Sequence, residues 1–143
     1  MKILNNMKKI IILSGFLLLS CWALDSNAQI FASNVKLYIK SDMHATADAE
    51  IRIEMYNNQG AYILASPPAI YTSLTTNVEH SLGTLYFPNA PMWTPPGQPQ
   101  YWCRIVGGAR SGLDQAGGVG GWGSPDDLTL TFEGGVIKIT LPN

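Results

Sequence analysis

Four aromatic side chains and one acidic cluster are the places where this chain could do chemistry. Trp93 stands in PNAPMWTPPGQPQ, a run with five prolines, and Trp122 stands in SGLDQAGGVGGWGSPDD, a run with six glycines. Tyr101 and Trp102 follow the proline run directly. Aromatic rings on a rigid or anchored backbone make contact surfaces, because they offer large apolar area at little entropic cost. The stretch SDMHATADAE gathers Asp42, His44, Asp48 and Glu50. Hard oxygen ligands of this kind suit Ca²⁺, with Asp42, Asp48 and Glu50 as the candidate set. Six to eight oxygens are needed, so a second segment such as Asp114 or Asp126-Asp127 would have to help. Solvated loop carboxylates are the plainer expectation.

Catalytic signatures are missing. G-x-S-x-G, H-E-x-x-H and C-x-x-C do not occur. Gly118 to Gly123 matches G-x-G-x-x-G, but that motif needs a following helix to receive a pyrophosphate, and Pro125 follows instead. Cys103 alternates with Tyr101 and Ile105 in a strand-like run, the setting of a buried and inert thiol. The sequence therefore points to a protein that is not an enzyme and that holds no cofactor apart from the calcium option.

The elements that must position these groups are strands. Val35, Leu37 and Ile39 alternate with polar residues, as do Ile51, Ile53 and Met55, and Leu82 to Phe87 and Tyr101 to Val106 read the same way. Gly134-Gly135 predicts a two-residue hairpin turn that would pair Phe132 with Ile137, Leu130 with Ile139 and Leu128 with Leu141. No window carries a helical stripe. About eight short strands with turn residues between them predict an all-β fold, an antiparallel β-sandwich of two sheets. The proline and glycine runs are expected to be loops.

Lys2, Lys8 and Lys9 before the apolar run Ile10 to Leu19 read as a signal peptide over residues 1–28, with cleavage after Ala28. Leu18-Leu19-Ser20-Cys21 offers the alternative, a lipobox whose cysteine would be lipidated. The expected destination is secreted or periplasmic, or the outer membrane if Cys21 carries lipid. Residues 29–143 then form a single domain. Without Lys2, Lys8, Lys9 and Asp25, six basic face nine acidic side chains, which argues against nucleic acid as a partner. Cys103 is left without a disulfide partner.

VKLYIKSDMHATADAEIRIEMYNNQG, Val35 to Gly60, resembles the opening of a PLAT (LH2) domain: a strand, a K-T-G-D turn, a G-T-D-A loop and a strand ending in L-Y-G. CRIVGGARSGL followed by GGWGSPDDLTLTF, within residues 103–132, is similar to the family's R-I-G-x-D-N-S-G-L and G-W segments. The resemblance implies a sandwich of two four-stranded sheets serving as a non-catalytic binding module for a lipid surface or a protein partner. In that family loop aspartates hold Ca²⁺ in some members, and Asp42 and Asp48 stand where the first would lie. The aspartate expected before Arg110 is Ala109. Trp93 and Trp122 become the expected contact residues, with the alternative that Trp122 folds back to plug the open end of the sandwich. Two alternatives stay open: a carbohydrate-binding module stacking sugars on Trp93, Tyr101 and Trp102, and a structural subunit of an envelope or surface assembly. A row of aromatics on one sheet face would favour sugar, whereas aromatics at loop tips would favour lipid.

Overall fold

The computed structural model describes residues 28–90, 101–123 and 129–143, so the segment expected to be a signal peptide, with Cys21, and Trp93, Asp126-Asp127 and Leu128 lie outside the described residues. Among the described residues there are nine strands and no helix: β1 Ala28–Lys40, β2 Thr46–Tyr56, β3 Tyr62–Ala65, β4 Ala69–Thr75, β5 Glu79–Ala90, β6 Trp102–Ser111, β7 Asp114–Gly123, β8 Thr129–Glu133 and β9 Val136–Thr140. They form two sheets. One holds β5, β1 and the β8–β9 pair; the other runs β4 and β3 beside β2, then β6 and β7.

The alternation in the sequence decides what faces inward. Ala47, Ala49, Ile51, Ile53 and Met55 of β2 and Cys103, Ile105 and Ala109 of β6 pack against Leu37 and Ile39 of β1 and Ile137 and Ile139 of β9. Removing each of the leucine, isoleucine and methionine side chains from water contributes about 1.5–3 kcal/mol, which sets one shared interior between the sheets.

The last strands depart from expectation. Gly134-Gly135 is not a hairpin turn, and the pairs Phe132–Ile137 and Leu130–Ile139 are not formed; the expected Leu128–Leu141 pair falls partly outside the described residues. Instead β8 and β9 follow one another along β1, both parallel to it, with Ser33 opposite Glu133 and Lys36 opposite Val136. A two-residue hairpin turn needs positive φ at its first central residue, and of this pair only Gly135, at φ 64, has it. Gly134 is wedged where an added Cβ would lie 2.9 Å from Ile105 Cδ1 and 3.0 Å from the Ser33 carbonyl oxygen. β1 carries a matching kink at Asn34, φ 51. Both strands change parity at the same level, so Ile30 and Ala32, then Val35, Leu37 and Ile39, all point inward, as do Phe132, Ile137, Ile139 and Leu141.

The glycine run is likewise a strand rather than a loop. β6 and β7 join through Gly112-Leu113, with Gly112 at φ 60 as the first central residue that a type II′ turn requires. Gly118, Gly120 and Gly121 of β7 lie against the backbone of the β8–β9 edge, where the Gly121 amide donates to the Gly134 carbonyl at 2.6 Å. Side chains there would hold the two sheets apart. Asp48 and Glu50 also leave the loop expected of them: the β1–β2 connection is only Ser41–Ala45, and both carboxylates stand on β2.

Candidate functional site on the outer face of the five-stranded sheet

Because β2 sends its apolar residues inward, Asp48, Glu50, Arg52, Glu54 and Tyr56 project from the opposite face. β6 adds Trp102, Arg104, Val106, Gly108 and Arg110 to that face, and β7 adds Gln115, Gly117, Val119 and Trp122. The register sets them in rows: Asp48, Arg110 and Gln115; Glu50, Gly108 and Gly117; Arg52, Val106 and Val119; Glu54, Arg104 and Trp122; Tyr62, Tyr56 and Trp102. From Arg104 to Arg110 the face advances about 20 Å. All three arginines of the chain stand on it.

At one end lies an aromatic and ionic cluster. Tyr56 and Trp102 stack with ring centroids 4.4 Å apart and an interplanar angle of 15°, and Tyr62 meets Tyr56 edge-on at 6.0 Å. The Arg104 guanidinium lies 4.7 Å from the Tyr56 ring centroid and donates to the Tyr56 hydroxyl at 2.6 Å. Tyr56 in turn donates to Glu54. Arg52 donates to Glu54 Oε1 through Nη2 at 2.9 Å and through Nε at 3.1 Å. Glu54 is 7% exposed. Burial pushes its carboxyl up, but the Tyr56 and Arg52 hydrogen bonds and the two guanidinium charges outweigh that and hold it below its usual range. The hydrogen bond to Glu54 raises Arg52, and burial raises the Tyr56 phenol. Trp122, beside Arg104 in register, is 70% exposed.

Beyond the cluster the face sinks into a trough of about 750 Å³. Its floor is Val106, Gly108 and Gly117; Ile70 and Thr72 of β4, with Glu50 and Arg52, make one flank, and Asp48, Arg110 and Gln115 close the hairpin end. Glu50 pairs with Arg52 at 3.6 Å, and Asp48 Oδ1 accepts the Ser73 amide at 2.8 Å, holding Ser73 at φ 54. His44 Nε2 meets Asp114 Oδ2 at 2.6 Å, which ties the tip of the β6–β7 hairpin to the β1–β2 connection. Among the described residues no three His, Cys, Asp or Glu side chains converge as metal ligands. Asp42 sits exposed in the connection, apart from the trough lining to which Asp48 and Glu50 belong.

The structure thus brings Trp102 and Trp122 to one sheet face, leaves Tyr101 half-buried just before β6, and does not place Trp93. Cys103 points inward, and burial pushes its thiol up to about 12. Tyr56, Arg52, Glu54, Arg104 and Arg110 were not singled out from the sequence. Their alternation puts each on the polar side of its strand, but only the β2–β6 pairing makes them neighbours. Comparison with protein-family models, curated proteins and solved structures finds no match for this chain.

Proposed function

We propose that this chain is an exported, non-enzymatic carbohydrate-binding module that receives a glycan along the outer face of its five-stranded sheet. The observation that carries this reading is the continuity of the trough with the aromatic cluster. Apolar rings and bare backbone suit the C–H faces of pyranose rings. The planar carboxylate, guanidinium and amide groups of Asp48, Glu50, Arg52, Arg110 and Gln115 suit their hydroxyls. A concave site with a few convergent polar groups is the usual form of a small-ligand site. Trp122 and Trp102 stand on a strand face, the arrangement that favours sugar over a bilayer. The leader-like segment at residues 1–28 supports export.

The PLAT-like alternative, attachment to lipid through aromatics, keeps one supporting observation: Trp122 is exposed beside Val119, an apolar pair on the outer face of β7. One experiment separates the two. Mobility in native gels cast with soluble neutral or acidic polysaccharides should fall for the wild type and recover for Trp122→Ala. Losing an aromatic stack worth about 2 kcal/mol weakens binding roughly 30-fold. Unretarded migration in every polysaccharide, together with co-sedimentation on phosphatidylcholine–phosphatidylglycerol vesicles, would refute the carbohydrate reading and leave the lipid one.

A further inference from the structure

Among the described residues the trough holds one charge without a partner and two glycines that the fold does not need. Each other charged side chain along the face is engaged: Arg52 with Glu50 and Glu54, Arg104 with Glu54, and Asp48 with the Ser73 amide. Arg110 stands opposite Asp48 in register, is exposed, and has no ion pair or hydrogen bond among the described residues. The glycines divide just as sharply. An added Cβ at Gly107 would lie 2.7 Å from Ile51 Cδ1, and one at Gly120 would lie 2.7 Å from the Gly134 carbonyl oxygen. At Gly108 and Gly117 the nearest atoms would be 3.9 Å and 3.4 Å away, ordinary contact distances, and neither residue has positive φ. A glycine inside a strand costs about 0.5–1 kcal/mol relative to alanine and otherwise marks close approach of a ligand or another backbone. Among the described residues no backbone covers this paired, outward-facing patch, which floors the trough next to Arg110.

We propose, building on the carbohydrate reading, that this end of the trough is a subsite for a uronic acid residue. The pyranose ring lies flat on Gly108 and Gly117, and its carboxylate is received by the Arg110 guanidinium. A guanidinium fork matches a carboxylate bidentately and keeps its charge at every working pH. The excess of nine acidic over six basic side chains in residues 29–143 does not oppose this at long range, since charges beyond about 8 Å are screened at physiological salt.

Calorimetric titration of the full domain with tri-galacturonate and tri-mannuronate, each as the free acid and as the methyl ester, tests the assignment. The wild type should bind an acid form about tenfold or more tightly than its ester, as a charged hydrogen bond is worth. Arg110→Met should erase that preference, and Arg110→Lys should restore part of it. Gly117→Ala should weaken both forms about tenfold without lowering the melting temperature, which separates a filled floor from a damaged fold. Equal binding of acid and ester, an unchanged preference in Arg110→Met, or wild-type affinity in Gly117→Ala overturns the subsite. In those cases the carbohydrate reading survives if a Trp122-dependent glycan is still bound; if no glycan is bound at all, both fall.

Discussion

Replacing Gly121 by alanine should unfold this protein far more readily than replacing Gly117, although the two glycines are four residues apart on the same strand. An added Cβ at Gly121 would overlap the Glu133 carbonyl oxygen and lie 3.1 Å from the carbonyl carbon of Gly134. Both obstacles are backbone, and neither gives way as the end of a flexible side chain does. Relief requires β7 to move off the β8–β9 edge, which breaks the 2.6 Å bond from the Gly121 amide to the Gly134 carbonyl. Overpacking of a closed contact costs about 1–3 kcal/mol, and a lost hydrogen bond adds about 1 kcal/mol. Against a total stability of about 5–15 kcal/mol, a loss of about 3 kcal/mol lowers the melting temperature by roughly 10 °C in a domain of this size. Gly117→Ala meets only the Gly107 carbonyl oxygen at 3.4 Å and reduces the entropy of the unfolded chain, so its melting temperature should stay level or rise by a few degrees. Thermal unfolding followed by circular dichroism compares the pair directly. A Gly121→Ala protein melting within about 2 °C of wild type, or a Gly117→Ala protein falling as far as Gly121→Ala, would refute the assignment of these glycines to close sheet contact and open trough.

Cys103, fully buried, should resist Ellman's reagent in the native protein and react promptly in urea, so fast native labelling would contradict its placement. Its thiol, pushed up to about 12 by burial, also contributes to alkaline instability. The unfolded thiol loses its proton from about pH 8.5 while the folded one holds it. Stability present below that pH is therefore lost as pH rises toward the folded value, and Cys103→Ala should flatten that limb of a urea-midpoint series. Glu54 works in the opposite direction. Its folded carboxyl lies below its usual range, so its contribution is present above about pH 4.3 and is lost as pH falls through the folded value. Glu54→Gln should cost about 1–2 kcal/mol at pH 7, the figure discounted because Arg52 and Arg104 remain partly exposed, and should weaken the acid dependence of unfolding.

The sandwich was legible where side chains alternate. Leu37, Ile39, Ile51, Ile53, Met55, Cys103 and Ile105 point inward as their period of two demands, because alternation is a property of a single strand. Sheet topology was not legible in the same way. Gly134-Gly135 carries the composition of a hairpin turn, but Ser33 and Lys36, its hydrogen-bond partners on distant β1, decide its conformation. The run around Trp122 looks like a loop because glycine lacks strand propensity, yet here glycine is what lets two backbones meet. For the site, Trp102 and Trp122 could be named from their residue type alone. Arg110 and the Gly108–Gly117 floor could not, since each acquires meaning only from the strand laid beside it.

The parallel seating of the final strands against the first has a consequence for how the molecule comes to exist. About half of one sheet's pairing joins segments separated by nearly the whole described chain, so closing that sheet carries the largest loop-entropy cost available to it. β1 has only β5 to hold until β8 and β9 emerge. This sheet therefore cannot be completed until residues 129–140 reach β1, and the slowest folding step is the docking of β8 and β9 onto the first strand.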